Sequence, residues 1–99
     1  MSEITDSAAG AACELRLPGH CNWNSETTVA CHLRLPGVAG TALKPSDLLT
    51  VRGCSACHDV IDGRAATDIS RGELDRFILE AFCRTLLAYE REGLIEVVE

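Results

Sequence analysis

Val51-Arg52-Gly53-Cys54-Ser55-Ala56-Cys57-His58-Asp59-Val60-Ile61-Asp62 decides the reading of this chain: an apolar run enters a Cys-x-x-Cys knuckle, and a helix leaves it. Two thiols at that spacing span one edge of a metal tetrahedron, and a second pair, Cys13 and Cys21, lies upstream with Pro18-Gly19 as the turn that brings its members together. Zinc in a structural site takes four soft or borderline ligands, which thiolates supply best. Cys13, Cys21, Cys54 and Cys57 therefore read as one structural Zn2+ site rather than as four independent buried cysteines.

The compartment separates metal ligation from disulfides. Residues 1–12 carry Glu3 and Asp6, lack a basic start and contain no continuous apolar run, so they do not form a secretory signal, and a cytoplasmic location is expected. In a reducing compartment six cysteines read as metal ligands more readily than as three disulfides. No run approaches the ~18 apolar residues of a membrane helix, so no membrane association is expected. Cys-x-x-Cys-His is also the attachment sequence of c-type haem. That chemistry needs export and a second axial ligand, the one methionine is Met1, and Cys13 and Cys21 would be left unexplained. Of the two remaining cysteines, Cys83 reads as a small buried apolar residue on a helix. Cys31 reads as a neutral core residue, since it and His32 point to opposite faces of a strand.

Ninety-nine residues make one small domain, in which metal crosslinks contribute a useful share of stability. Its expected parts are a flexible N-terminus over 1–12 that adds nothing to the core, a zinc-bound core over 13–65, and a C-terminal helix and tail over 66–99 packing on that core. Glu14-Leu-Arg-Leu-Pro-Gly19 and His32-Leu-Arg-Leu-Pro-Gly37 share a pentapeptide whose alternation predicts two half-buried strands. Asn22, Asn24 and Ser25 predict a loop with Trp23 packed over it. Thr27 to His32 predicts a strand, 37–47 a long loop, and Leu48 to Val51 a short apolar strand. A helix is predicted over Ala56 to Asp62, ending at Gly63. A second begins at the capping box Ser70-Arg71-Gly72-Glu73, and Leu74, Phe77, Ile78, Ala81, Phe82, Leu86 and Tyr89 give it one apolar face down to Gly93. Leu94 to Val98 predicts a last strand or a partner-binding tail.

Charge constrains partners. The net charge is −6; four thiolates remove four and one zinc returns two, giving −8. Nucleic-acid binding by counterion release needs basic patches, and only Lys44 and eight arginines are available. Affinity for DNA then depends on a divalent ion, a local arginine cluster or a partner. Arg34 and Arg52 are the candidate phosphate clamps, and Arg16 and Arg34 on the two repeats fit a basic face or a merely solvated one equally well.

Two histidines lie beside the zinc ligands. His58 and Asp62, four residues apart, share a helix face and can hold one divalent ion between them, leaving positions for phosphate and water; Asp62 also fits an exposed carboxylate near a helix end. His32 has the chemistry of a general base, although a lone strand histidine also fits a structural role.

Leu17-Pro-Gly-His-Cys-Asn-Trp-Asn-Ser-Glu-Thr-Thr-Val29, His32-Leu33-Arg34-Leu35, Lys44-Pro45-Ser46-Asp47-Leu48 and Cys54-Ser55-Ala56-Cys57-His58-Asp59-Val60-Ile61-Asp62 together resemble the YbcO-like nuclease family of prophages, from about Cys13 to Arg64. That family is similar to HNH nucleases, whose ββα-metal fold puts a histidine base on a strand and metal ligands on the following helix. The resemblance implies that His32 is the general base, that His58 binds a catalytic Mg2+ or Mn2+ with Asp62 as a further ligand, and that the four cysteines hold structural zinc. It departs from HNH enzymes at Cys31, where a metal ligand is common, and at the middle asparagine, for which Asp47 is the nearest polar substitute.

The expected fold is α+β: a small zinc-stabilised treble-clef, HNH-like ββα-metal domain with an additional C-terminal helix. The expected function is a phage-derived, metal-dependent DNA endonuclease acting in recombination or replication. The alternative is a zinc-stabilised DNA- or protein-binding module without catalysis, with the C-terminal helix serving a homodimer or a protein partner.

Overall fold

The computed structural model describes residues 2–35, 37–38 and 46–98. It is an α+β domain in which a two-stranded sheet carries helices on either side of the cysteine-rich corner. In chain order its elements are α1 (Glu3–Asp6), a 3-10 turn (Ser25–Thr27), β1 (Val29–His32), β2 (Thr50–Gly53), α2 (Ser55–Ile61) and α3 (Arg71–Arg91). β1 and β2 pair antiparallel, with Val29 opposite Gly53, Cys31 opposite Val51 and His32 opposite Thr50. Both strands start two residues later than the apolar pattern suggests. Of the long loop expected over 37–47, residues 39–45 lie outside the described set.

Alternation in β1 turns Cys31 into the core and leaves His32 partly accessible. β2 is buried along its whole length, because α3 covers the side that solvent would otherwise take. Gly53 closes β2 where Leu15 and Cys31 crowd its Cα: a Cβ there would lie 2.6 Å from Leu15 Cδ1 and 3.2 Å from Cys31 Sγ. Cys54 follows immediately and is the N-cap of α2, its sulfur accepting the Cys57 N–H at 3.4 Å. Strand end, helix cap and helix start thus fall on three consecutive residues, Gly53, Cys54 and Ser55. Asp62 caps α2, and Gly63 follows at φ +79°, the left-handed conformation that ends a helix cheaply only at glycine.

α3 is a 21-residue helix capped by Ser70, whose hydroxyl oxygen accepts the Glu73 N–H at 3.2 Å while its proton goes to the Glu73 carboxylate at 2.9 Å. Leu74, Ala81, Thr85, Ala88 and Tyr89 are its buried face. Three polar contacts fasten that face to β2. The Arg52 N–H donates to Thr85 Oγ1 at 3.1 Å, Tyr89 and Thr50 hydroxyls bond at 2.6 Å, and Arg52 donates from both terminal nitrogens to Glu92 at 2.8 Å.

Several expectations are corrected. The repeat at 14–19 is not a strand: Leu15 and Leu17 are fully buried as alternation requires, but Arg16 sits at φ +49° and only the Glu14 N–H bonds β2, at Arg52 O. In its second copy His32 ends β1, and Leu33 to Leu35 add no further strand. Residues 94–98 form no strand, and Val97 and Val98 are exposed. Cys83 is exposed rather than buried, because the α3 face that meets β2 runs through Ala81, Thr85 and Ala88. The N-terminal segment does add to the core: Ala8 is buried, and Ser7 Oγ accepts from Arg52 at 2.9 Å.

Candidate metal centre and adjoining histidine pairs

The tetrad is assembled from two knuckles. In each, a backbone N–H three residues on donates to the first sulfur, Arg16 N to Cys13 Sγ at 3.5 Å and Cys57 N to Cys54 Sγ at 3.4 Å. Such bonds favour the thiolate. The sulfurs of Cys13, Cys21, Cys54 and Cys57 all lie within 4.8 Å of one another, with Cys21 and Cys54 at 3.9 Å. An ion about 2.3 Å from each of four sulfurs sets them about 3.8 Å apart in a tetrahedron, whereas a disulfide needs about 2.05 Å. The donor set therefore fits a metal such as zinc.

The close sulfurs couple strongly. The Cys57 thiol, donating to Cys13, holds the Cys13 thiol down at about 4, while Cys57 is pushed well up because Cys13 keeps its proton in place. Burial pushes Cys21 up to about 11. A dication bound among them would stabilise all four as thiolates. Cys31 stands apart. Buried under Gly53, it is pushed up to about 12 by desolvation, which keeps it a neutral packing residue.

Beside the tetrad lie two histidine–carboxylate pairs. His32 Nε2 bonds Asp47 Oδ1 at 2.8 Å, across the start of the sheet. His58, the fourth residue of α2, bonds Asp62 Oδ2 at 3.0 Å, as i,i+4 spacing allows. His32 and Asp62 line the same cavity of about 610 Å³, which Arg34 and Arg71 share and which is otherwise walled by Leu33, Leu49, Ile61, Ile78 and Phe82 among others. Asp62 Oδ2 also takes Arg64 Nη1 at 3.1 Å, and Arg64 is held to Asp59 at 2.9 Å.

Arg52 is a correction. Only 3 % of it is exposed, its guanidinium lies 5.2 Å from the Tyr89 ring centre, and Glu92 and Ser7 take its terminal nitrogens, so it is a core strut and not a phosphate clamp. Its partner lies forty residues away, and no local signal in the sequence marks it. Arg34 is exposed at the cavity. Trp23, expected to pack over its loop, is instead 73 % exposed. His20, to which no role was assigned, bonds Thr67 Oγ1 at 2.9 Å and ties the Cys21 loop to the segment before α3.

Among known proteins, the family described as "Putative nuclease YbcO" matches residues 2–94. The proteins called putative nuclease YbcO from Escherichia coli (strain K12) and from Enterobacteria phage 82 are each 42% identical over 96 residues, covering 97% of this chain and 99% of theirs. A solved structure, described as that of "a putative bacteriophage protein from Escherichia coli str. K-12 substr. MG1655", superposes with a TM-score of 0.75 at 39% identity, covering 90% of this chain and 98% of its own. No helix among the described residues is long and apolar enough to cross a membrane. With the family match running almost from end to end, this chain belongs to the YbcO family, whose description is "Putative nuclease YbcO".

Proposed function

We propose that this protein is a metal-dependent DNA endonuclease of treble-clef, HNH-like type, built around one zinc ion on Cys13, Cys21, Cys54 and Cys57. The observation that carries the reading is the shared cavity: His32, oriented by the Asp47 carboxylate, and Asp62, which His58 bonds from behind the lining, border one space that an exposed arginine, Arg34, also reaches. The order β1, β2, α2 supports the ββα reading.

Each residue then has a definite task. With its Nε2–H given to Asp47, His32 presents the Nδ1 lone pair to a water and takes its proton as that water attacks phosphorus in line. Asp47 fixes the ring and its tautomer, the work the middle asparagine does in HNH enzymes. His58 and Asp62 offer nitrogen and oxygen donors, which suit magnesium or manganese, and Cys31 does not interfere because its sulfur faces the core. When bound there, such an ion supplies Lewis-acid stabilisation of the charge that builds on the leaving oxygen. Arg34 holds a neighbouring phosphate. Arg52 has no part in this.

The test is cleavage of plasmid and branched DNA with magnesium, with manganese and with neither, beside elemental analysis. Wild-type protein should nick DNA only with the added ion and carry one zinc per chain. His32→Ala should lose about 100-fold or more of the rate with zinc content and melting unchanged; purified His32→Ala that cuts at the wild-type rate removes His32 from the mechanism. A second reading, a binding module using α3, is favoured by exposed Leu79 and Leu87 on that helix. It would be preferred if zinc is present and no substrate is cut under any of these conditions.

A further inference from the structure

The Cys21 turn holds a side chain that neither the metal centre nor the histidine pairs explain. Trp23 is the one tryptophan of the chain, it is 73 % exposed, and its φ is +55°. The turn accounts for the angle, since the Trp23 N–H must face the Cys21 sulfur. It does not account for the residue, because glycine takes that angle without strain and an exposed indole gains nothing from packing. The loop is nonetheless tied firmly around it. Asn22 Oδ1 accepts the Asn24 N–H at 2.9 Å, Asn22 Nδ2 donates to Thr27 Oγ1 at 3.1 Å and to Ser55 Oγ at 3.2 Å, and Asn24 Oδ1 accepts the Glu26 N–H at 3.1 Å. Trp23 walls a separate cavity of about 310 Å³ with Ala12, Cys13, Arg16 and Ser25. Arg16, itself at φ +49° with half of its side chain exposed, is the cation on that wall, and Glu14 at 3.1 Å steadies it.

We infer that Trp23 and Arg16 form a second nucleic-acid subsite, in which an unpaired base stacks on the indole and Arg16 contacts the adjoining phosphate. The inference rests on the reading of this chain as acting on nucleic acid and names the form it takes there, a strand with unpaired bases. Charge favours that form: duplex binding rests chiefly on basic contacts, of which a chain of net charge −6 has few to spare, whereas stacking on an indole draws part of its energy from the face of the base. The stiff loop means that little freedom is lost when the base arrives.

The lone tryptophan reports directly. In the zinc-loaded His32→Ala background, without magnesium, a 15-nucleotide thymidine oligomer should quench its fluorescence saturably, and a duplex of equal length should quench far less. Trp23→Ala should weaken binding of a labelled oligomer on the order of 10-fold, by anisotropy, with Trp23→Phe in between. Trp23→Gly should weaken it equally while melting no lower than the parent, because glycine relieves the strained angle; a packing role would lower the melting point instead. Arg16→Gln should reduce the salt dependence of binding by about one phosphate contact. Unchanged fluorescence at saturating oligomer, equal affinity of Trp23→Ala, or a protein-concentration-dependent shift of the emission without nucleic acid, which would mark Trp23 as a protein contact, each overturns the inference. Nicking of plasmid by Trp23→Ala leaves the endonuclease reading standing, so the two fail separately.

Discussion

At the scale of single residues, the chemistry turns on who shares each carboxylate. Asp62 Oδ2 receives both His58 and Arg64, so under the proposed mechanism the guanidinium would compete with a divalent ion for that oxygen. Arg64→Gln should therefore lower the magnesium concentration for half-maximal nicking several-fold; a titration curve that does not move would separate Arg64 from the ion site. Glu92 shows how charge reaches the fold. Arg52 holds its carboxyl below the ordinary value of 4.5, so the pair stabilises the native state fully above that value and less as pH falls through the lowered one. Glu92→Gln should cost less than about 1 kcal/mol at pH 7, since the carboxylate is partly solvated, and the gap in denaturation midpoint should narrow as pH falls below 4.5. Cys54 and Cys57 were legible because soft ligands at knuckle spacing have few other uses, whereas Cys13 and Cys21, more loosely spaced, were joined to them only through the Pro18-Gly19 turn. Arg52 was not, because a buried guanidinium and a solvated one look alike until a distant Glu92 is placed beside it.

Among elements, β2 and α2 were legible to within two residues, since an apolar run, a glycine, a cap and a second glycine succeed one another there without conflict. The Leu-Arg-Leu-Pro-Gly copies misled for a physical reason: alternation shows which side chains are buried, not whether the backbone finds a partner strand. Leu15 and Leu17 are buried as alternation asks, yet the segment bends at Arg16 to bring its N–H to Cys13. Gly53 is where these elements meet most tightly. Gly53→Ala should destabilise the protein by about 1–3 kcal/mol through overpacking against Leu15 and Cys31, read as a lower urea midpoint at unchanged slope; an unaltered midpoint would show that Leu15 yields freely.

For the whole molecule, stability is divided between the metal corner and the seam of α3 on β2. The sheet has two strands and the domain is small, so neither half holds a sufficient core. Stripping the ion with excess chelator should abolish the cooperative thermal transition, and one equivalent of zinc should restore it; a transition unmoved by chelation would mean that the tetrad is only a packed thiol cluster. The seam was partly visible as a helix with an apolar face. Its polar fastening through Thr50, Thr85 and Tyr89 was not, since hydroxyls carry no sign of the element they will bond.

Cys83, out in solvent on α3, has a bearing on handling. Two molecules meeting through that helix in aerated buffer can be joined by a covalent bridge with no affinity between them. A twofold species on a sizing column thus speaks to genuine pairing through Leu79 and Leu87 only when the preparation is kept reduced or carries serine at position 83.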